Sequence, residues 1–243
     1  MTGEPVLAVR DLSAWYGAAR ILYDLAFEVG RGEVVALMGR NGAGKSTTMK
    51  SIMGMIAKKS GQVTFRGRDI TSLKTFEIAR LGMGFVPEDR RIFSDLTVLE
   101  NLDVGRQPPR MIEGTAQTEA WTPERLFALF PNLGQMPDRL GNHMSGGEQQ
   151  MLTVARTLMG NPLLVLLDEP SEGVAPVIVE QMAHTIVELK KQGLSILLSE
   201  QNINFAELVS DRVYVLEKGQ IHWQGSMAEL SGNIDVQRSF LTV

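Results

Sequence analysis

The chain has 243 residues, 44% apolar and 21% charged, which is enough for one substantial α/β domain with its own core. A formal net charge of −4 argues against a nucleic-acid partner, because phosphate backbones demand a basic face. The absence of cysteine excludes disulfides and thiolate zinc sites and suits a reducing cytoplasm.

Along the chain, the opening MTGEPVLAVRDLS lacks a basic stretch followed by an apolar one, so no signal peptide is expected. No apolar run approaches the ~20 residues needed to span a bilayer. Any membrane role is therefore expected from outside the bilayer. Short β-rich runs then alternate with turns: VLAVRDLSAWYG, LAFEVGRGEVVALMG and GQVTFRGRDI. Residues 34–38 read as an apolar strand feeding a glycine-rich loop, and residues 45–55 as the helix behind it. A short helix at about 72–81 and a strand at MGFVP follow.

From about residue 88 to 160 the pattern changes to helical pieces with polar connections. Within it, GRQPPRMIEGTAQTEAWTPERLF carries Pro108, Pro109 and Pro123 and reads as a long mobile loop. The α/β pattern resumes with a strand at 163–167, a helix at about 177–192 closed by Gly193, and a strand at 195–199 ending in a polar turn. The tail, RVYVLEKGQIHWQG, reads as a hairpin turning at Lys218-Gly219. This is a discontinuous α/β core with an inserted helical lobe and no internal repeat.

GRNGAGKS, residues 39–46, fits G-x-x-x-x-G-K-[ST] and lies between an apolar strand and a helix, where the motif works. Gly39, Asn41, Gly42, Ala43 and Gly44 would wrap backbone N–H groups around a polyphosphate, and the helix N-terminus beginning at Lys45, Ser46 and Thr47 would add its positive end. Lys45 would reach the β- and γ-phosphates, and Ser46 would ligate Mg²⁺. A second acidic element, LLVLLDEP, ends an all-apolar strand in Asp168 and Glu169. Two carboxylates at a strand's edge need a metal, a ligand or solvent. Asp168 suits Mg²⁺, and Glu169 suits polarisation of an attacking water.

MSGGEQQ, residues 144–150, resembles the LSGGQ signature of the ATP-binding subunits of ATP-binding-cassette (ABC) transporters, with Met144 for Leu and Glu148 for Gln. The resemblance covers nearly the whole chain. It implies a single P-loop NTPase domain of ABC type: a RecA-like core with an antiparallel β subdomain, at about 1–87 and 156–243, and an inserted helical subdomain at about 88–155. The implied substrate is ATP with Mg²⁺. Ser145, Gly146, Gly147 and Glu148 would meet the γ-phosphate of ATP held by the opposite subunit, and Tyr16 would stack on adenine, with Trp15 as a rival. Glu88 in GFVPE takes the place of a Gln at the junction with the helical lobe, as a catalytic or metal-approaching group. Gln201 in SEQN takes the place of the switch His. PSEGVAP occupies the subunit-contact loop without its usual Asp.

Lys45, Ser46, Asp168, Glu169 and the signature glycines are all intact, so these departures point to a subtype. VPEDRRIF, MSGGEQQML, DEPSEGVAP and SEQN together resemble one of the two ATPase subunits of branched-chain, or hydrophobic, amino-acid uptake transporters. Urea or short-amide importers are related. The branch implies a second cassette in a head-to-tail dimer, two permease subunits and an external solute-binding protein. It also implies a peripheral position on the cytoplasmic face of a bacterial or archaeal plasma membrane. Phe93, Leu96 and Val98 are candidate permease contacts or, equally, lobe core. A soluble ABC ATPase acting on DNA or translation, and a silent ATP-binding regulator, are the other readings. His143, His184 and His222 show no metal spacing.

Overall fold

The computed structural model describes residues 4–112, 115–116 and 120–241. The chain opens with β1 (Leu7–Tyr16) and β2 (Ala19–Val29), an antiparallel pair, and passes to β3 (Val34–Met38), whose five residues are all buried. The phosphate-loop sequence leads into α1 (Lys45–Ile52), shorter than expected because Gly54 turns the chain with φ +71°. β4 (Lys58–Phe65) returns to pair with β1, and β5 (Arg68–Asp69) completes a four-stranded sheet. α2 (Thr75–Leu81) and β6 (Met83–Val86) follow.

The helical segment comprises α3 (Val98–Gly105), the small antiparallel ladder of β7 (Met111–Ile112) and β8 (Thr115–Ala116), α4 (Pro123–Leu129), α5 (Pro131–Gly134) and α6 (Gly146–Leu158). Pro108 and Pro109 stand in irregular backbone, and Pro123 opens α4 at a position where its missing N–H costs nothing. Residues 113–114 and 117–119 of the predicted loop lie outside the described residues. α3 starts with a reciprocal capping box between Thr97 and Glu100. That cap turns Val98 fully inward, so Val98 is lobe core and not a permease contact; Phe93 is exposed and Leu96 half-buried.

β9 (Leu164–Asp168), α7 (Pro176–Lys191) and β10 (Ser195–Glu200) restore the α/β pattern. The polar turn expected after β10 is instead the start of α8 (Ile203–Val209), capped by the Asn202 side chain on Phe205 N at 3.2 Å. β11 (Arg212–Glu217) and β12 (Gln220–Ser226) form the predicted hairpin, and α9 (Met227–Gly232) and α10 (Ile234–Phe240) close the chain.

The six-stranded sheet runs β12-β11-β3-β10-β9-β6, with all contacts from β11 to β6 parallel. Side chains alternate across it. Leu164, Leu166 and Leu197 enter a cluster with β1, β2, β4 and α1, while Val165, Leu167, Ile196 and Leu198 enter one with α6, α7 and the helical segment. Parallel strands covered on both faces account for the near-continuous apolar runs of β3, β9 and β10. Their C-terminal ends lie side by side at one edge, the usual place for a ligand in such a sheet.

Candidate active site

β3 delivers the chain to Gly39, where a Cβ would stand 2.3 Å from Leu216 O, so only glycine fits between β3 and β11. Gly44, at the N-cap of α1 with φ +112°, is the second such position. The loop is braced from the C-terminal hairpin: Gly219 N donates to Ala43 O at 2.9 Å, and Gly219 O accepts from Tyr23 N of β2 at 2.9 Å. Asn41 and Gly42 are exposed at the loop's crest, Ala43 is buried and Thr47 half-buried on α1. Lys45 is buried; its Nζ donates to Gly39 O at 2.6 Å and Arg40 O at 3.2 Å and pairs with Glu169 Oε1 at 3.0 Å.

The parallel register sets Asp168 of β9 opposite Ser199 of β10. Asp168 Oδ1 accepts from Ser199 Oγ at 2.6 Å and from Ser46 Oγ at 3.0 Å. Burial pushes the Asp168 carboxyl above the ordinary carboxylate range, against the pull of those two hydroxyls. The next residue, Glu169, takes a left-handed backbone, φ +46°, with its N–H on Ser199 O and Oγ, both at 3.1 Å. A non-glycine residue in that region carries local strain of about 1–3 kcal/mol. Glu169 is also raised, first by burial and then by its contact with Glu172, which together outweigh the attraction of Lys45.

Gln201, just past β10, donates through Nε2 to Glu169 Oε2 at 3.3 Å and Glu172 Oε2 at 3.1 Å. The position predicted for a switch group therefore reaches the predicted water-polarising carboxylate. Two participants escape the sequence reading, Glu172 and the fully buried Glu200. Glu200 had a signal: like Asp168, it is an acidic residue ending an apolar strand. Its carboxyl is raised by burial, in spite of hydrogen bonds from the Ser171 hydroxyl and three backbone N–H groups.

Ser46 and Asp168 converge as a hydroxyl and a carboxylate, hard oxygen donors of the kind Mg²⁺ takes. Among the described residues no trio of His, Cys, Asp or Glu forms a metal cage. Two protein oxygens suit Mg²⁺, which commonly completes its shell with phosphate and water. Glu88 follows β6, whose Val86 pairs with Leu167, so it stands at the same sheet edge. It is exposed, and among the described residues no hydrogen bond joins it to Ser46 or Asp168.

Tyr16 ends β1 half-exposed, whereas the Trp15 ring lies between the Arg20 guanidinium at 5.4 Å and the Lys58 ammonium at 5.1 Å. Trp15 is thus engaged by cations and Tyr16 is the ring left open to solvent. Ser145 caps α6: its N–H donates to Glu148 Oε2 at 2.7 Å and its Oγ accepts from Glu148 N at 3.4 Å. Glu148 thus serves the helix cap. Gly146 lies against the Arg90 guanidinium and Gly147 against Ile178, with room for little else. Among the described residues no hydrogen bond or ion pair joins the signature to the phosphate loop of its own chain. His143 is exposed beside it, His184 is exposed on α7, and His222 stacks on Phe240 at 5.3 Å.

The sequence pattern of the family described as ABC transporter matches residues 22–172. The chain is 39% identical over 236 residues to the high-affinity branched-chain amino acid transport ATP-binding protein BraG of Pseudomonas aeruginosa, covering 97% of this chain and 99% of that one. It is 32% identical to the lipopolysaccharide export system ATP-binding protein LptB of Haemophilus influenzae, covering 97% of each. The ADP conformation of MJ1267, an ATP-binding cassette of an ABC transporter, superposes with a TM-score of 0.78 at 28% identity over 96% of this chain and 95% of that one. The fold and the nucleotide-site motifs agree with these likenesses: the chain belongs to the ABC transporter family, as an ATP-binding, ATP-hydrolysing cassette.

Proposed function

We propose that this ATPase powers uptake of branched-chain or other hydrophobic amino acids, as one cassette of a pair bound to two membrane permeases that receive solute from an external binding protein. The observation that carries the reading is the likeness to BraG, which spans nearly the whole chain and exceeds the likeness to LptB. Among the described residues no helix is long and apolar enough to cross a membrane, in keeping with a peripheral subunit on the cytoplasmic face. The domain division follows: core and β subdomain at about 1–87 and 156–243, with the helical subdomain at about 88–155 docking the permease through Phe93 and Leu96.

In this reading Tyr16 stacks on adenine, and the loop from Gly39 to Thr47 wraps the phosphates. Ser46 and Asp168 would hold Mg²⁺, which when bound offsets phosphate charge, with Glu88 approaching it through water. Phosphate oxygens compete with Glu169 for Lys45, so ATP draws the ammonium away and leaves the carboxylate free to take a proton from the attacking water. Gln201 orients Glu169 with one amide N–H and would turn the other from Glu172 to the γ-phosphate, without adding charge. Ser145, Gly146 and Gly147 of the other cassette close the site over the γ-phosphate through a helix N-terminus.

The test is to purify the membrane complex and measure its ATPase rate with the external binding protein loaded with leucine, isoleucine or valine. Stimulation by those solutes is expected. Stimulation by lipopolysaccharide, which the LptB likeness favours, or by urea or short amides, would reassign the cargo. Recovery without any permease would sink the transport reading.

A further inference from the structure

We propose that Glu200 is a positioning residue that fastens Gln201 to the loop following β9, so that seating of a second cassette on that loop is transmitted to the group facing the γ-phosphate. The inference rests on the roles given above to Gln201 and to the contact loop.

Glu200 is the last residue of β10 and is 1% exposed. Each of its oxygens serves a different chain segment. Oε1 accepts from Ser171 N at 3.2 Å, in the loop after β9, while Oε2 accepts from Gln201 N and Asn202 N, both at 3.1 Å, and the Ser171 hydroxyl also bonds to the carboxylate. No Lys, Arg or His among the described residues pairs with it within the 4.0 Å of an ion pair. Burying a carboxylate without a cation is costly, and a neutral acceptor could serve any one of these N–H groups. Only a carboxylate offers two acceptor oxygens pointing toward both loops. The cost is therefore attached to the bridge.

That bridge lies beside a second one. The Gln201 side chain reaches Glu169 and Glu172 of the same loop, so the segments after β9 and β10 are joined once through Glu200 and once through Gln201. Asn202, held by Glu200 at its N–H, caps α8 with its side chain. A shift of Ser171 thus pulls on the backbone of Gln201 directly. It reaches Glu169 at the same time. Gly173, two residues on, also accepts from Arg90 at 3.4 Å, and Arg90 packs on Gly146, so the same loop also touches the signature that this chain would offer to its partner's site.

The test is the steady-state ATPase of the transporter complex carrying Glu200→Gln, which keeps the shape but leaves a single acceptor oxygen for the backbone N–H groups of Ser171, Gln201 and Asn202. We expect kcat to fall about ten- to a hundredfold, the cost of a misplaced catalytic group, with KM for ATP within about twofold. The double variant Glu200→Gln/Gln201→Ala should be no slower than Gln201→Ala, because the first residue acts through the second. Additive losses, or a fall in ATP affinity matching the fall in kcat, would overturn the proposal. So would an unaffected Glu200→Gln beside a slow Gln201→Ala, which leaves the role of Gln201 standing. A Gln201→Ala complex at the wild-type rate would remove that role first and this one with it. Should Glu200→Gln fail to fold, amide exchange in the unaltered chain decides. Ser171, Gln201 and Asn202 should slow together on ATP-driven closure, and slowing at Ser171 alone would reject the coupling.

Discussion

Gln201 holds Glu169 from the side opposite Lys45: its amide meets Oε2 at 3.3 Å while the ammonium meets Oε1 at 3.0 Å. Replacing Gln201 by Ala removes the orienting donor and leaves the phosphate loop untouched. Hydrolysis is expected to drop about ten- to a hundredfold with ATP binding nearly unchanged, as read by kcat against nucleotide titration. Gln201→Glu would set a third carboxylate against Glu169 and Glu172 and should be slower still. Equal losses in binding and turnover would mark Gln201 as merely structural.

Glu169→Gln keeps the shape and removes the proposed base. Turnover should fall by about a hundred- to ten-thousandfold, while ATP remains bound and the paired cassettes stay closed, which size-exclusion chromatography with ATP can detect. Hydrolysis at the wild-type rate would reject Glu169 as the group that polarises water.

Burial raises the Asp168 carboxyl in the folded chain above its unfolded value. Between the two values the native state binds more protons than the unfolded one, so stability falls as pH rises through that window. Below the window the contribution is fully present. Asp168→Asn keeps an oxygen for Ser46 and Ser199 and removes the charge. Its nucleotide-free unfolding midpoint should exceed that of the wild type near neutrality by about 2–4 °C for each kcal/mol relieved. The gap should close toward about pH 4, where the unfolded carboxyl also protonates. The same variant should lose Mg²⁺-dependent hydrolysis. A midpoint difference that ignores pH would sink the electrostatic account.

Gly219 has φ +77°, and a Cβ there would lie 1.9 Å from Ile21 O. Gly219→Ala should cost about 1–3 kcal/mol and, by shifting the donor to Ala43 O, weaken ATP binding from outside the phosphate loop. Gly232→Ala, whose Cβ meets nothing within 4 Å, is the control and should leave nucleotide affinity unchanged. Calorimetric titration of both variants with ATP makes the comparison.

Tyr16→Ala should raise KM for ATP about tenfold, in line with the ~1–3 kcal/mol of base stacking on an aromatic ring, and Tyr16→Phe should restore it. Trp15→Ala should instead loosen the β subdomain, lowering the unfolding midpoint more than nucleotide affinity. If Trp15→Ala carries the affinity loss, the adenine platform has been assigned to the wrong ring.

What could be read in advance divides along a physical line. Lys45, Ser46, Asp168 and Glu169 are legible because their chemistry requires fixed residue types at the end of an apolar strand. Glu200 satisfies the same rule. Its importance depends on β10 lying beside β9 in parallel, a fact of tertiary pairing that no local pattern displays. Val98 reads equally as a permease contact or as lobe core until the Thr97–Glu100 cap fixes the start of α3 and turns it inward. At Asn202 the cap rule was available, yet the polar residues after an apolar strand imitate a turn. Trp15 and Tyr16 are told apart only by Arg20 and Lys58 closing on one ring.

The strand that feeds the phosphate loop has both its sheet neighbours, β10 and β11, near the far end of the chain. During synthesis at roughly 5–20 residues per second, β3 leaves the ribosome on the order of ten seconds before either partner exists. Throughout that interval five consecutive apolar residues lack a sheet, and the phosphate loop lacks the hairpin that braces it. Nucleotide therefore cannot rescue a nascent or truncated cassette. Its protection against misfolding begins only when the last strands arrive.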